Sequence, residues 1–333
     1  MTMTTTRLFA TLAVAALMFT ACGDAPEESS NDDENQQQNQ DNDHNDHNDD
    51  EDGPWYQDIP IDDVRDHDGP IGEEGREVAP MFPENYDPEG NHPLLFLLHG
   101  YGSDAQETIE GFDAQAAAND RGVVMLAPEG DEDNIEGLFW NATDTCCDLE
   151  DARPDHVGYL TDLIEEAVEK YAVDPEQIFF LGISNGGMMS HRMACDRSEY
   201  LQAIISFNGS SFEDPELCEP EEPVEIFHVH ATDDEVVSYD GSVLFPPAPE
   251  VAERWAEYNE CEAGPFFGTS VEVTYAVEGE ETDIEWWDGC VEDGRVEFWT
   301  INNARHVPLP LADFPELMFD AVFGDRVFAR PTF

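Results

Sequence analysis

Gly182-Ile183-Ser184-Asn185-Gly186-Gly187 stands between two segments of opposite character. Before it, Gln177-Ile178-Phe179-Phe180-Leu181 is a short apolar run that reads as a buried strand. After it, Met188-Met189-Ser190-His191-Arg192-Met193-Ala194 reads as a helix. A serine in G-x-S-x-G between a strand and a helix is a nucleophile elbow. The flanking glycines allow the sharp turn that lifts the hydroxyl out of the sheet's edge, where a base can reach it.

A serine hydroxyl is a weak nucleophile at neutral pH, so the elbow predicts an acid and a base later in the chain. The acid should close a later strand. Val224-Glu225-Ile226-Phe227-His228-Val229-His230 is such a strand, and Asp233 and Asp234 follow it. Only one of the two can face an imidazole, and the other forms the turn. The base should follow a further strand near the C-terminus. Val296 to Ile301 is that strand, and Asn302-Asn303-Ala304-Arg305-His306 is the loop behind it. Of the ten histidines, only His306 lies beyond the acid loop, which makes it the candidate base.

The other histidines have plainer readings. His44 and His47 sit in a polar tail and His228 lies inside a strand, as a packed imidazole would. His230, at the strand end, is expected to support the acid loop. The oxyanion hole needs a second backbone N–H besides that of Asn185. Leu94 to Leu98 is an apolar strand running into His99-Gly100-Tyr101-Gly102, so Tyr101 or Gly102 supplies it. His99 reads as a loop anchor.

Leu98-His99-Gly100-Tyr101-Gly102, Trp140-Asn141-Ala142, Cys146-Cys147, Val157-Gly158-Tyr159-Leu160 and the elbow occur in one order. Together they resemble the secreted esterases that include poly(3-hydroxybutyrate) depolymerases and feruloyl or acetylxylan esterases. The resemblance spans roughly residues 70–310. The family's acid loop, H-G-T-x-D-x-x-V-P-Y, aligns with His230-Ala231-Thr232-Asp233-Asp234-Glu235-Val236-Val237-Ser238-Tyr239 and puts the acid on Asp234. Its terminal G-H-x-W-P stands against Arg305-His306-Val307-Pro308-Leu309, so the base matches while the glycine and tryptophan are missing. That departure falls on the leaving-group side of the pocket. The resemblance implies an α/β-hydrolase fold, with Ser184, Asp234 and His306 catalytic and no metal or organic cofactor. The expected partner is an ester substrate of polymeric kind. Polyhydroxybutyrate-type polyester is the first reading, and feruloyl or acetylated plant polysaccharide is the alternative. A non-catalytic binding protein on the same fold is a further one, against which the intact Ser184, Asp234 and His306 speak. Trp140 and Tyr239 are the candidate substrate-binding aromatics, with Tyr101, Phe139 and Phe245 nearby; all could equally be ordinary packing.

Residues 1–21 carry one basic residue, Arg7, then an apolar run from Leu8 to Phe19, which reads as a secretory signal too short to span a bilayer. Cys22 follows Phe19-Thr20-Ala21, resembling a bacterial lipobox in which the cysteine is lipidated. Residues 22–53 are built almost wholly of Asp, Glu, Asn, Gln, His and Ser and read as a disordered tether. Residues 54–333 are then one catalytic domain, exported, held to a membrane only through the lipid, and monomeric.

The formal net charge is -64, from 77 acidic and 13 basic residues. Thirteen of the acids lie in Gly23 to Gly53, leaving 64 acids against 12 basic residues and a folded part near -52 once Arg7 goes with the signal. Lys170 is the chain's one lysine. Such self-repulsion destabilises a compact state at low salt, and the expectation is adaptation to salty surroundings. The same charge excludes nucleic acid as a partner, since phosphate contacts need clustered Lys and Arg.

Seven cysteines less Cys22 leave an even six in an exported chain, which implies disulfides rather than a metal site. Cys261 and Cys290 flank one excursion and are expected to pair, as the resemblance supports. Adjacent cysteines are too close to pair easily, so Cys146, Cys147, Cys195 and Cys218 are expected to form two bridges. One of these would tie the Trp140 loop to the helix behind Ser184. Apolar strand candidates alternate with helical stretches at Val157 to Tyr171 and Ala248 to Tyr258, the pattern of a mostly parallel sheet covered on both faces. The acidic, Pro/Gly-rich stretch Trp55 to Gly75 shows no pattern of either kind.

Overall fold

A computed structural model describes residues 53–61, 65, 67–135, 137–291, 294–307 and 314–323. The expected signal at residues 1–21, the lipidation site at Cys22 and all of the tether but Gly53 lie outside the described residues. So do Pro308 and Leu309 of the terminal motif. Residues 53–58 belong to a separate unit, a turn closed by the Gln57 N–H donating to the Pro54 carbonyl at 2.9 Å.

From Ile59 onward, the apolar runs become strands. β1 (His92–Leu98), β2 (Val124–Leu126), β5 (Val173–Ile183), β6 (Ala203–Phe207), β7 (Glu225–Ala231) and β10 (Val296–Ile301) lie in one sheet with β9 (Thr282–Asp288) and β8 (Ala263–Phe267). The order is β2-β1-β5-β6-β7-β10-β9-β8. The first six are parallel, and β9 and β8 close one edge antiparallel. A short hairpin, β3 (Asp131–Glu132) with β4 (Leu138–Phe139), stands apart.

Parallel strands buried on both faces need apolar side chains at every position rather than alternate ones. Phe179 and Leu181 face one side with Ile205, Phe227 and Val229, and pack with Phe112 of α1 (Ala105–Phe112), Ala117 of α2 (Ala114–Arg121) and Phe319 of α6 (Phe314–Phe323). The opposite face carries α3 (His156–Lys170), α4 (Asn185–Asp196) and α5 (Ala248–Tyr258). On that side Phe96 stacks on Phe180 with ring centroids 4.7 Å apart. Each fully buried side chain of this size contributes roughly 1.5–3 kcal/mol. Helix α3 starts where Asp155 accepts the Gly158 N–H at 2.8 Å and ends with Lys170 in its last turn, complementing the helix dipole.

Among the described residues from Ile59 to Gly75 there is no helix or named strand, yet some of them are anchored. The buried Arg65 guanidinium donates to the Val173 carbonyl at 2.8 Å, and Ile71 pairs with Val78 in an isolated bridge.

Three disulfides are present among the described residues: Cys146–Cys147, Cys195–Cys218 and Cys261–Cys290. The last matches expectation and brackets the β8–β9 edge. The first overturns it, because the neighbouring cysteines pair with each other and no bridge ties the Trp140 loop to α4. Cys195, in the last turn of α4, instead reaches Cys218 ahead of β7.

Candidate active site

In an open parallel sheet the crevice lies at the carboxyl ends of the strands, where the strand order reverses. Here β1 has β2 on one side and β5 on the other, and the elbow leaves the carboxyl end of β5. Ser184 takes φ 54° and ψ -118°, a left-handed backbone for a residue with a side chain. Strain of this kind costs about 1–3 kcal/mol and persists only where the surroundings hold it. The hold is visible: the Ser184 N–H donates to the Phe207 carbonyl at 2.8 Å, and the Ser184 carbonyl accepts from Met188 at 2.9 Å. The glycines are required by close approach. A Cβ on Gly182 would lie 2.1 Å from the Gly186 oxygen, and one on Gly186 would lie 2.3 Å from the Leu98 oxygen.

Ser184, His306 and Asp234 come together from the ends of β5, β10 and β7. His306 Nε2 lies 2.8 Å from Ser184 Oγ, and His306 Nδ1 lies 2.7 Å from Asp234 Oδ2. A carboxylate only accepts, so the imidazole proton sits on Nδ1 and the Nε2 lone pair faces the serine hydroxyl. Asp234 is buried and Asp233 exposed, which separates the two neighbours. The Asp233 N–H donates to the Ala304 carbonyl at 2.9 Å, so this residue builds the turn. Asp234 Oδ1 accepts from the N–H groups of Val236 and Val237, both at 2.8 Å. Burial alone would raise the Asp234 pKa, but the hydrogen bonds and charge of His230 and His306 outweigh it and hold the carboxyl well below the usual range.

The oxyanion candidates divide. The Gly102 N–H is already committed to the Leu138 carbonyl at 2.8 Å, which leaves Tyr101 as the β1-side donor. The Tyr101 hydroxyl donates to Asp133 Oδ2, and Asp133 Oδ1 accepts from Ile135 at 3.0 Å and Gly137 at 2.9 Å. Burial, with this hydrogen bond, drives the Tyr101 pKa upward. Asn185 opens α4, so its N–H belongs to the first-turn donors that have no intrahelical partner. Its side chain accepts from the Trp140 N–H at 2.7 Å and donates to the Trp140 carbonyl at 2.9 Å. Those two bonds tie the Trp140 loop to the helix, where a disulfide was expected.

Trp140 is not a substrate-binding residue: it is fully buried, with its indole N–H donating to the His99 carbonyl at 3.1 Å. Tyr101, Phe139 and Phe245 are buried too. Tyr239 is half-buried, its hydroxyl 3.1 Å from Thr300 Oγ1 and its ring stacked on Phe298. His99 is a loop anchor, accepting the Gly130 N–H at 3.0 Å and donating from Nδ1 to the Gly100 carbonyl at 2.8 Å.

Asn208 escaped the sequence reading. It follows β6 with φ 48°, accepts the Ala231 N–H at 2.7 Å and donates from Nδ2 to the His306 carbonyl. One side chain thus joins the ends of β6 and β7 to the base loop. The signal was present as Asn208-Gly209 closing an apolar run, since asparagine tolerates the left-handed turn.

The family model described as phospholipase/carboxylesterase matches residues 86–248. Feruloyl esterase B of Piromyces equi is 26% identical over 243 residues, covering 69% of this chain and 42% of that protein. A poly(3-hydroxybutyrate) depolymerase of Ralstonia pickettii is 32% identical over 120 residues, covering 32% of this chain and 23% of that one. The chain therefore spans less than half the length of either relative. Among solved structures, an acetyl xylan esterase from Aspergillus awamori superposes with a TM-score of 0.57 at 14% identity, covering 77% of this chain and 97% of that one. The fold is that of the α/β-hydrolases. In this α/β-hydrolase the strand-end residues follow the fold's usual chain order of serine, acid and histidine. Among the described residues, no helix is long and apolar enough to cross a membrane.

Proposed function

We propose that the chain is a serine esterase that hydrolyses carboxylic esters through Ser184, His306 and Asp234. The observation that carries this reading is the hydrogen-bonded run from Ser184 Oγ through His306 to Asp234. His306 takes the serine proton as Oγ attacks the ester carbonyl, and Asp234 holds the imidazole in the required tautomer. The oxyanion lies between the N–H groups of Asn185 and Tyr101, each worth about 3–4 kcal/mol in the transition state. The alcohol leaves with the proton from His306. Water, activated by the same imidazole, then releases the acid from Ser184.

Feruloyl or acetyl esters of plant polysaccharide are the favoured substrates, supported by the feruloyl esterase relative that covers most of this chain. Polyester of the hydroxybutyrate kind is the second reading, favoured by the shorter stretch of higher identity to a depolymerase. The catalytic domain is residues 54–333, exported as a monomer and held at a membrane by lipid on Cys22, as the segment 1–21 and the acidic stretch behind it support. The net charge of -64 supports function in high salt.

Hydrolysis of methyl ferulate, acetylated xylan and hydroxybutyrate polymer film, each at low and molar salt, sorts these readings. Release of ferulate or acetate ahead of hydroxybutyrate supports the polysaccharide reading, and the reverse order supports the polyester one. No hydrolysis of any ester, p-nitrophenyl acetate included, would sink the enzyme altogether. Best stability and activity in dilute buffer would remove salt adaptation.

A further inference from the structure

Three histidines that the proposed chemistry does not use are buried in a line behind the acid loop. His191 lies on α4, and His228 and His230 lie on β7; none is more than 1% exposed. Their tautomers follow from their partners. The indole N–H of Trp255, on α5, donates to His191 Nδ1 at 2.9 Å. Indole only donates, so the proton of neutral His191 is on Nε2. That atom lies 3.3 Å from His228 Nδ1, which accepts and leaves the His228 proton on Nε2. At the far end His230 Nε2 lies 2.8 Å from the Val237 carbonyl. A carbonyl only accepts, so His230 is protonated on Nε2 and keeps its lone pair on Nδ1.

His228 Nε2 and His230 Nδ1 are the two ring nitrogens of this run with no other partner. One is a donor and the other an acceptor. The two rings stand 5.5 Å apart, against 5.3 Å for the hydrogen-bonded His191 and His228. His230 Nε2 also lies 3.5 Å from Asp234 Oδ2, the oxygen that takes the His306 N–H. The Trp255 N–H thus donates to His191 and the His191 N–H to His228, while the His230 N–H donates to Val237 with Asp234 Oδ2 within 3.5 Å. Burial keeps His191 and His228 uncharged. Apolar side chains of the same size would fill this space without desolvating six ring nitrogens, so the imidazoles call for a reason beyond packing.

We infer that His230 is a positioning residue, its one Nε2–H donating to the Val237 carbonyl and shared with the acid oxygen that His306 uses, with the dipoles of the His228 and His191 rings behind it. One oxygen of Asp234 is then bracketed by two imidazoles and the other by two backbone N–H groups. The carboxylate cannot swing aside when His306 becomes positively charged. This inference rests on the proposed Ser184, His306 and Asp234 chemistry.

The test compares His230→Leu, His230→Gln and Ser184→Ala in the full chain, with p-nitrophenyl acetate as substrate and the downfield Nδ1 proton of His306 followed by NMR. Glutamine returns an N–H near the Nε2 position and leucine does not. His230→Leu should lower kcat about ten- to a hundredfold, the worth of one hydrogen bond to a charged group, with KM unchanged. The His306 proton should shift, and His230→Gln should recover most of the rate. A folded His230→Leu with kcat within about twofold of the parent and an unmoved resonance overturns the inference. Equal loss in the leucine and glutamine variants overturns it too. Should His230→Leu not fold, His228→Leu leaves His230 its own bonds and should lower kcat on the order of threefold while moving the same resonance; no change in either overturns the inference. Activity surviving in Ser184→Ala would instead remove the reading beneath it, so the two failures are told apart.

Discussion

Strands β1, β5, β6, β7 and β10 lie parallel, and their carboxyl-terminal halves are almost wholly buried, whereas β8 leaves four of its five residues exposed along the antiparallel edge. The parallel part is held by packing on both faces and carries every residue of the candidate site at its strand ends. The edge contributes no site residue, presents Phe267 at 73% exposure, and is stapled by Cys261–Cys290 instead. The contrast teaches that activity and stability have separate structural bases here. A change at the strand ends should remove catalysis without unfolding the chain, and a change at the edge should do the reverse.

The largest separation is expected from Ser184→Ala, which should lower kcat on p-nitrophenyl acetate on the order of a million-fold with the melting temperature held or raised. A raised value would come from relief of the left-handed backbone in neither variant nor parent, since alanine keeps a Cβ. It would reflect only the lost hydroxyl. A rate within tenfold of the parent would break the comparison at its root.

Acid should come next. His191 is pushed down to about 3 and His228 is also lowered, both by burial, so the fold holds them neutral. Unfolded histidine titrates near 6.5. Between these values the unfolded chain binds more protons than the folded one, so stability is full above about pH 6.5 and falls with pH below it. Each histidine takes about 1.4 kcal/mol per pH unit in that window. Denaturant midpoints from pH 7.5 to 5 check this, and His191→Phe should flatten the curve; an unchanged slope would contradict it.

Replacing Cys261 and Cys290 by serine should lower stability by about 3.5 kcal/mol on the chain-entropy argument, with kcat unaltered. Loss of activity at native stability would show that the edge reaches the site after all. Cys146–Cys147 encloses no intervening loop, so its removal should leave stability nearly unchanged. The smallest effect on rate is expected from Tyr101→Phe. It frees the buried Asp133 carboxyl from its phenol partner and loosens one oxyanion donor, so kcat should fall about tenfold, less than losing the donor outright. A fall in KM with constant kcat would argue against that role.

The parts legible in the sequence were those where one physical demand decides the residue type. Gln177–Leu181, Val224–His230 and Val296–Ile301 became strands: β7 and β10 match within one residue, while β5 starts four residues earlier, at Val173, and ends two later, at Ile183. The helix expected at Val157 to Tyr171 spans His156–Lys170, and Ala248–Tyr258 is as expected. Elsewhere several demands compete. Ala263-Gly264-Pro265-Phe266-Phe267 has no alternation, and an edge strand that buries little has no need of one. Trp140 looked like a stacking platform because an aromatic in a polar loop suits either a ligand or a core; its contact with Asn185 decided for the core. The cysteines misled because loop closure favours distant partners, while Cys146 and Cys147 are paired across no loop at all. Asn208 was missed because Asn208-Gly209 by itself marks only a turn, while its function lies in two long-range bonds.

Lys170 closes α3 just ahead of Val173, at the amino end of β5, while Ser184 follows the other end of the same strand. Val173 to Gly182 of β5 runs beside His92 to Leu98 of β1, so at roughly 3.3 Å per residue the two ends lie about 20 Å apart. Its ammonium rests against Glu166 and is about a third exposed. The chain's one ε-amine is thus a coupling handle on the face opposite the serine. Amine-reactive beads or dyes that take the chain through this side chain would leave the strand-end crevice turned outward, an orientation that a lysine-rich surface would scramble.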